Sequence, residues 1–413
     1  MTHLAVFVTH PIQYFSPVWR ALADTPGLEV VVHYFSDHGI RGDLDRDFGV
    51  KLAWDVPLLE GYEHVFLSRN CDIFNFHEVS VSDAPGLLRR GRFDSVLTIG
   101  YMHRFARQVV RAARTLGLRS VLRSEFTDAV PDVGRGRLRA LVRDAYLRRF
   151  YRQVDAFCYI GEDARDHLLR RKIPAERLFF SPYSVDTSLF EAQRRAYSRA
   201  QIRAELQVAD DQAVVLFSGK LIPRKAPLLL LEAVRGIPGI DNVVVLFVGD
   251  GPMRGEVEAL AREVLGTRFR MVGFVNQSRI GRYYLASDFF VLPSLYETWG
   301  LVVNEAMQFG LPVVVGSNVR CHRDLVIEGE TGFTFPNGDR EALASRLEAL
   351  LHDPMLAARM GENARSHVLG YTPELSARGI AEAVFSRAGP RQTIIRKASS
   401  RGDSSAIPPD ETA

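Results

Sequence analysis

The segment FFVLPSLYETWGLVVNEAMQFGLPVVV, residues 289–315, decides the fold of this chain. An apolar run is followed by a polar loop, a helical pattern as far as about Phe309, and a second apolar run. Short apolar runs bounded by turn residues predict strands, and a helix between two of them is typical of parallel pairing. The segment therefore predicts an α/β protein built on a parallel sheet.

The same alternation of apolar runs and helical patterns extends through the whole chain. Strands are predicted in the first half at residues 4–8, 28–34, 94–99, 120–123 and 156–160, and in the second at 213–217, 243–248, 269–272, 289–292 and 312–315. Residues 186–212 contain no strand pattern, which places a domain junction near Val185. We expect two Rossmann-like domains at 1–185 and 186–371, a terminal helix at 372–389 that packs back on the first domain, and a disordered tail at 390–413.

Composition excludes several classes of protein. The 413 residues are 46% hydrophobic and 24% charged, which fits a globular protein and excludes a disordered or collagen-like chain. Cys71, Cys158 and Cys321 are too few and too scattered for a disulfide framework, and no C-x-x-C pair indicates zinc. The starting run LAVFV is too short for a signal peptide, and no run approaches the length of a membrane span. We expect a reduced, cytoplasmic protein.

Two lysines follow the strand predicted at residues 213–217, in the sequence SGKLIPRKA. Gly219 permits a sharp turn, Lys220 and Lys225 flank that turn, and a helix is expected from about Pro227. Ligands of parallel sheets bind at the carboxyl ends of the strands, and ammonium groups beside helix amides suit a diphosphate. The sequence therefore indicates a diphosphate site, with a basic surface loop as the alternative.

Two glutamates flank the helix of the opening segment. Glu297 precedes the helix and Glu305 lies eight residues later, about 2.2 helical turns, so we expect both carboxylates on similar faces. Gly300 and the amides after it can approach a phosphate, while carboxylates accept hydrogen bonds from sugar hydroxyls. The pattern predicts a nucleotide-sugar site, although two glutamates near a helix are also common by chance.

The sequence VGDGPMRGEV, residues 248–257, partly matches a dinucleotide-binding fingerprint. Arg254 occupies the position where that fingerprint needs its third glycine, and no acidic residue ends the next predicted strand. A nicotinamide site is therefore disfavoured.

The ordered set SGKLIPRKA, VGDGPMR, VGFV and the E-x7-E pair Glu297 to Glu305 resembles the retaining glycosyltransferases of the family 4 type. The resemblance covers most of residues 213–335. It implies the GT-B fold, in which two Rossmann-like domains face each other across a cleft. It also implies transfer from a nucleotide sugar without metal or other cofactor, by front-face attack and without a protein nucleophile.

The resemblance also implies roles for individual residues. Lys220 and Lys225 would bind the donor diphosphate, Glu305 the ribose hydroxyls, and Glu297 the transferred sugar. Further donor contacts would come from backbone amides and from a loop against the nucleobase, at Gly300, Leu301, Val302, Phe274 and Val275.

The first half of the chain departs from the family pattern. A Gly-rich loop usually follows the first strand, whereas here the loop reads THPIQYFSPVWRAL. His10 and Gln13 are expected to face the cleft, although His10 could instead cap a turn before Pro11. The histidine that commonly follows the strand at 120–123 is absent, and Glu125 is expected to contact the sugar or the acceptor in its place.

Two arginine-rich segments lie in the first domain. Arg104, Arg107, Arg111 and Arg114 share one helix face, and RGRLRALVRDAYLRRFYRQ, residues 135–153, adds seven arginines beside the apolar stripe Leu138, Leu141, Val142 and Ala145. These helices could attach the protein to an anionic membrane surface, at the inner face of the membrane. The alternative is a solvated arginine face above a core stripe. No nucleic-acid-binding motif accompanies the arginines, so no nucleic acid partner is expected.

Three functions remain compatible with the sequence. The first is a hexosyltransferase acting on an unidentified glycan, lipid-linked or small-molecule acceptor. The second is a nucleotide-sugar-binding partner protein without turnover, which the altered first-strand loop and the missing histidine would suggest. The third is a nucleotide-sugar epimerase on the same fold.

Overall fold

A computed structural model of the chain describes residues 1–44, 51–68, 73–75, 77–128 and 137–387. Over these residues the chain forms two parallel sheets covered by helices, which confirms the predicted α/β fold class. The tail predicted at 390–413 and Cys71 lie outside the described residues. Cys158 and Cys321 are buried free thiols.

The first sheet has seven parallel strands in the order β5-β2-β1-β6-β7-β8-β9. Its strands are β1 (Thr2–Val8), β2 (Leu28–Tyr34), β5 (Glu63–Phe66), β6 (Ser95–Ile99), β7 (Arg119–Ser124), β8 (Ala156–Tyr159) and β9 (Leu178–Phe180). Between β2 and β5 in the sequence, β3 (Asp43–Leu44) and β4 (Lys51–Leu52) form a separate antiparallel pair. The helices that accompany them are α1 (Ser16–Ala23), α2 (Ala84–Arg90), α3 (Arg104–Leu116), α4 (Arg137–Tyr151) and α5 (Glu162–Arg170).

The second sheet has six parallel strands in the order β12-β11-β10-β13-β14-β15. Its strands are β10 (Ala213–Ser218), β11 (Val243–Val248), β12 (Phe269–Met271), β13 (Phe289–Leu292), β14 (Val313–Gly316) and β15 (Gly332–Phe335). The helices are α6 (Thr187–Ala196), α7 (Arg199–Glu205), α8 (Pro227–Arg235), α9 (Arg254–Leu265), α10 (Gly281–Ala286), α11 (Leu301–Gln308), α12 (His322–Leu325), α13 (Arg340–His352) and α14 (Pro354–Val368), with short 3₁₀ turns at Ala175–Arg177, Pro223–Lys225 and Ile240–Asn242.

Burial explains why some strands were predictable and others were not. All six residues of β11 are buried, because helices cover both faces of the sheet, and its sequence is accordingly an unbroken apolar run. By contrast, β5 alternates exposed and half-buried residues and β9 is only half-buried. The sequence of β5 therefore gives no apolar run, and the apolar run of β9 is only three residues long.

The last described helix, α15 (Pro373–Phe385), lies against α1 and the edge of the first sheet. A Cβ on Gly379 would come within 1.9 Å of the carbonyl oxygen of Phe180, so only glycine allows this approach. The buried guanidinium of Arg123 donates hydrogen bonds to Ser181 and, across the contact, to the hydroxyl of Ser376. The chain thus returns from the second domain to the first.

The two domains meet beside α5 and α12. The carboxylate of Asp324 accepts hydrogen bonds from the backbone amide of Glu162 at 3.1 and 3.3 Å, at the start of α5. Arg323 forms ion pairs with Asp163 at 2.5 Å and Asp166 at 2.9 Å. These contacts join the domains at one end of the cleft.

Asp324 makes stability depend on pH. Burial raises the pKa of its carboxyl from 3.8 to about 7. The folded protein holds this proton more tightly than the unfolded chain does. The protonated carboxyl therefore adds to the free energy of unfolding, fully below about pH 4, and this addition is lost as the pH rises through about 7. Asp324→Asn keeps an oxygen acceptor for the Glu162 amide. As the pH is raised from about 5 to about 8, we therefore expect the free energy of unfolding to fall less in the variant than in the wild type.

Urea unfolding at the two pH values measures this difference. Asp241→Asn, at an exposed position of the second domain, is the control and should follow the wild type. An unchanged pH dependence in Asp324→Asn would contradict the assignment.

Candidate active site

The predicted donor residues lie on loops at one edge of the second sheet. These loops follow the carboxyl ends of β10, β12 and β13, three strands of a single parallel sheet. The loops after β1 and β7 of the first domain face them, as the contacts below show. The site is therefore a cleft between the domains, formed where parallel strands end.

A three-residue ion cluster lies at the centre of this edge. The Nζ atom of Lys225 is 2.7 Å from Oε1 of Glu297, and a guanidinium nitrogen of Arg224 is 3.2 Å from Oε2. The loops that carry these residues are joined by backbone hydrogen bonding, since the amide of Leu295 donates to the carbonyl of Arg224. Both oxygens of Glu297 are thus held by cations from the neighbouring loop.

Lys225 is an unusually buried cation, with 11% of its side chain exposed. Burial lowers the pKa of its ammonium group, and the carboxylate of Glu297 opposes that shift. Lys220 is near enough to contribute repulsion. Gly219 has a φ of +153°, and a Cβ there would lie 3.7 Å from Cε of Lys225. The turn therefore concentrates positive charge at the strand end.

Gly300 separates Glu297 from the helix that carries Glu305. Its φ of +109° belongs to the left-handed region, and a Cβ would approach Val319 to 2.9 Å. Helix α11 begins only at Leu301, with no side chain capping its first amides, so the backbone at Leu301 and Val302 starts the helix beside the ion cluster. Helical spacing therefore does not relate the two glutamates, because Glu297 lies before the start of α11.

Glu305 lies on α11 and is almost fully buried, with 1% of its surface exposed. Its Oε1 atom accepts hydrogen bonds from the hydroxyl of Tyr14 at 2.8 Å and the amide of Gln277 at 3.0 Å. Its Oε2 atom accepts from the hydroxyl of Tyr284 at 2.8 Å. Burial raises the pKa of the carboxyl, and the three donors oppose this. Tyr14 comes from the first domain, so Glu305 also joins the domains.

The loop after β12 contains Phe274 and Val275, both half-buried. The residues that follow contact the first domain: the side chain of Asn276 donates to the carbonyl of Ala53 at 2.6 Å, and the backbone amide of Ser278 donates to Asp55 at 3.0 Å. The loop assigned to the nucleobase is therefore bordered by both domains.

The glycines of VGDGPMR have a packing role. A Cβ on Gly249 would come within 1.9 Å of the carbonyl oxygen of Gly219, and one on Gly251 within 2.5 Å of that of Leu221. The amide of Leu221 donates to the carbonyl of Asp250 at 2.9 Å. These glycines let the loop after β11 support the turn that carries Lys220.

Glu125 extends from the loop after β7 into the cleft. The hydroxyl of Tyr183 donates to its Oε1 atom at 3.1 Å, and Thr298, adjacent to Glu297 on the second domain, also hydrogen-bonds to its side chain. Burial raises the pKa of this carboxyl, with a smaller contribution from the charge of Glu297. The structure thus brings Glu125 close to the ion cluster, although their strands belong to different domains.

His10 lines a cavity of about 220 Å³ in the first domain, together with Glu125, His103, Tyr101, Phe15, Ile99 and others. Burial, reinforced by His38 and His103, lowers the pKa of His10 to about 3, so its ring is neutral at physiological pH. Its Nδ1 atom is 2.9 Å from the hydroxyl oxygen of Thr9. Gln13 is buried elsewhere in the loop, hydrogen-bonded to Tyr14.

Sequence reasoning missed four residues of this site. Arg224 was detectable, since it directly precedes Lys225. Tyr14 follows Gln13 at the end of β1 and could have been selected by the same rule. Gln277 and Tyr284 carry no local signal, because they contact Glu305 only through the tertiary fold, 28 and 21 residues away in the sequence.

The two arginine-rich helices differ in what they expose. On α3, Arg104, Arg111 and Arg114 are exposed. On α4, Leu141 and Val142 are 66% and 63% exposed, while the core side of the helix is formed by Leu147, Phe150 and Tyr151. The alternative of a core stripe at Leu141 and Val142 is therefore wrong; Leu138 lies among residues whose side chains are not described.

The described part of the chain has neither a membrane-spanning helix nor a cluster of metal-ligating side chains. No helix there is long and apolar enough to cross a membrane. Nor do those residues include a group of three or more His, Cys, Asp or Glu side chains that could hold a metal ion.

Two family models match the chain in succession. The model described as "Glycosyl transferase 4-like domain" matches residues 11–184, and that described as "Glycosyl transferases group 1" matches residues 198–367. Together they account for most of the sequence, one in each half. The chain belongs to the GT-B glycosyltransferases of the family 4 type. This confirms the family that the motifs resemble.

Curated relatives agree with the family but match only part of this glycosyltransferase. Alpha-D-kanosaminyltransferase of Streptomyces kanamyceticus is 32% identical over 221 residues, which is 52% of this chain and 56% of that protein. D-inositol 3-phosphate glycosyltransferase of Streptomyces avermitilis is 34% identical over 42% of this chain and 40% of that protein. The chain thus spans about half the length of these relatives.

A solved structure confirms the fold over nearly the whole glycosyltransferase. HepE of Anabaena, in complex with UDP and glucose, superimposes with a TM-score of 0.65 at 16% identity, covering 93% of this chain and 99% of HepE. The two facing parallel-sheet domains are therefore those of the GT-B fold.

Proposed function

We propose that this glycosyltransferase moves a hexose from a nucleoside diphosphate sugar to an acceptor hydroxyl, with retention of anomeric configuration and without a metal ion or other cofactor. The observation that carries the proposal is the cluster of Lys225, Arg224 and Glu297 beside the start of α11. Positive charge, helix amides and a carboxylate are the groups that a sugar diphosphate requires. HepE, which has the same fold, binds UDP and glucose, so UDP-sugars are the first donors to test.

Charge stabilisation is the main task of this cluster in the proposed reaction. The bond from the sugar C1 to the diphosphate oxygen breaks, and both electrons leave with the nucleoside diphosphate. Lys220, Lys225 and the amides of Leu301 and Val302 would neutralise that developing charge, which substitutes for a metal ion. Phe274 and Val275 would lie against the nucleobase, and Glu305 would hold the ribose.

Retention is proposed to proceed by attack from the face that the diphosphate leaves. The acceptor oxygen bonds to C1, and its proton passes to the departing phosphate oxygen. Glu297 is an unsuitable nucleophile because both its oxygens are engaged by cations. It would instead position the sugar and stabilise the oxocarbenium-like charge on it.

The acceptor is proposed to bind in the cavity that His10 and Glu125 line. This cavity opens at the ends of β1, β6 and β7 and reaches Glu125, which Thr298 connects to the ion cluster. Its walls include Val8, Ile12, Phe15 and Ile99. Such walls suit an acceptor with an apolar body, held by neutral histidines and a carboxyl group.

A donor panel with product analysis tests the proposal. UDP-, GDP- and ADP-sugars are incubated with candidate acceptors, with and without a chelator, and products are followed by NMR. We expect release of nucleoside diphosphate from one donor, a retained anomer and no effect of the chelator. An inverted anomer or loss of activity with chelator would overturn those parts of the proposal. Isomerised donor without transfer would indicate an epimerase, and binding without turnover a partner protein.

We also propose that α3 and α4 contact an anionic membrane surface. Exposed Leu141 and Val142 can enter the interface while neighbouring arginines face anionic headgroups. Vesicle co-sedimentation should show stronger binding to anionic than to neutral vesicles. Leu141→Ser should weaken this binding at least about tenfold, since burial of such a side chain contributes roughly 1.5–3 kcal/mol. Met355→Ser, at an exposed apolar residue of the second domain, should bind normally. Equal binding to both vesicle types would contradict this attachment.

A further inference from the structure

The hydrogen bond between Tyr14 and Glu305 in the cleft has no role in the function proposed above. It joins residues 291 positions apart in the sequence at a distance of 2.8 Å, and it crosses from one domain to the other. The acceptor of that hydrogen bond is the carboxylate to which the proposed function assigns the donor ribose.

The carboxylate of Glu305 has little capacity left for a ligand. A carboxylate offers about four acceptor positions, and three donors already occupy three of them. Among the described residues, Oε1 accepts from both Tyr14 and Gln277, whereas Oε2 accepts from Tyr284 alone. A ribose diol that bridges both oxygens requires a free position on each. One of the two donors to Oε1 must therefore leave.

Tyr14 is the donor that can leave without rearranging the second domain. Gln277 and Tyr284 belong to the loop before α10 and to α10 itself, in the same domain as Glu305. Tyr14 follows β1 in the first domain, so separation of the domains withdraws it. Burial and the charge of Glu305 raise the pKa of Tyr14 well above its ordinary value, so the hydroxyl keeps its proton and remains a donor.

We propose that the Tyr14 hydroxyl occupies the position of a ribose hydroxyl and competes with the donor for Glu305. This inference rests on the proposed function, in which Glu305 binds the donor ribose. The first domain thus supplies to the donor site a hydroxyl of its own. The donor must replace that hydroxyl with its ribose when it binds.

Nearby contacts support the same inference. Asn276 and Ser278, which follow the loop assigned to the nucleobase, donate to Ala53 and Asp55 of the first domain. Lys225 meanwhile pairs with Glu297, so the groups assigned to diphosphate and sugar engage each other. Lys225, Glu297 and Glu305 thus each have a protein partner already, and the loop assigned to the nucleobase is followed by residues that contact the first domain.

The test compares Tyr14→Phe with wild type by calorimetric titration of UDP, GDP and ADP and of their 2′,3′-dideoxy analogues. Phenylalanine fills the same space but cannot donate to Glu305. We expect the nucleotide that binds wild type to bind the variant about three- to tenfold more tightly, with no such gain for its dideoxy analogue. Tyr284→Phe, which removes a donor to the same carboxylate from within the second domain, should give no gain.

The outcomes separate this inference from the proposed function. Unchanged or weaker binding by Tyr14→Phe would overturn the competition, while the donor site would stand. An equal gain for the dideoxy analogue would also overturn it, because the effect would not involve the ribose. Absence of nucleotide binding by every form of the protein would overturn the proposed function and this inference together.

Discussion

Replacing Lys225 by alanine is expected to lower turnover by about 10²–10³-fold, the usual effect of removing one preorganised group that stabilises leaving-group charge. The structure gives the reason: the ammonium group is buried beside Glu297 at the end of β10. Burial lowers its pKa, so keeping this charge is unfavourable for folding. The positive charge of Lys225 is therefore best explained by a role in binding or catalysis.

Stability and a matched lysine provide the controls for this measurement. Because Arg224 still pairs with Glu297 in the variant, the protein should remain folded, which thermal unfolding will show. Lys172→Ala, at an exposed position of the first domain, should retain full turnover. Normal turnover in Lys225→Ala would remove the main support for the proposed charge stabilisation.

Glu297→Gln is expected to reduce kcat by at least about a hundredfold with a smaller effect on the donor KM, since the carboxylate acts mainly on the charged transition state. It should also shift the pH profile. The charge of Glu297 raises the pKa of Lys225, so its removal lowers that pKa. Activity that needs protonated Lys225 will then fall at a lower pH than in the wild type.

The pH–rate profile of kcat measures both effects at once. Glu256→Gln, an exposed substitution on α9 of the same domain, should reproduce the wild-type profile. A Glu297→Gln profile that is lower but not displaced would show that the carboxylate does not interact with a titrating Lys225 during turnover.

The fold was largely predictable because parallel strands buried on both faces are unbroken apolar runs. β1 and β11 show this directly. Strands β5 and β15 were missed because their sequences, EHVF and GFTF, interrupt the apolar pattern, and β9 was missed because its apolar run is only three residues long. Periodicity also failed on α4, since a helical apolar stripe does not reveal whether Leu141 and Val142 pack against the core or remain exposed.

The candidate site was predictable where its residues are close in sequence. Lys225 and Glu297 follow strands that pair in one sheet, so the rule that sites lie at strand ends brought them together. The contact of Tyr14 with Glu305 depends on how two domains sit against each other, and no local pattern contains that information. The left-handed backbone of Gly300 likewise delays the start of α11 to Leu301, so Glu297 lies outside the helix whose spacing was used to place it.

The second domain is proposed to bind a nucleotide sugar at Lys225, Glu297 and Glu305. Ligand-detected NMR titration of UDP-, GDP- and ADP-sugars against the wild type and Lys225→Ala tests it most directly. We predict that at least one nucleotide sugar binds the wild type and binds Lys225→Ala at least about tenfold more weakly, the loss of one charge-assisted contact to a diphosphate. Absence of binding across the panel, or binding that is indifferent to Lys225, would contradict the claim.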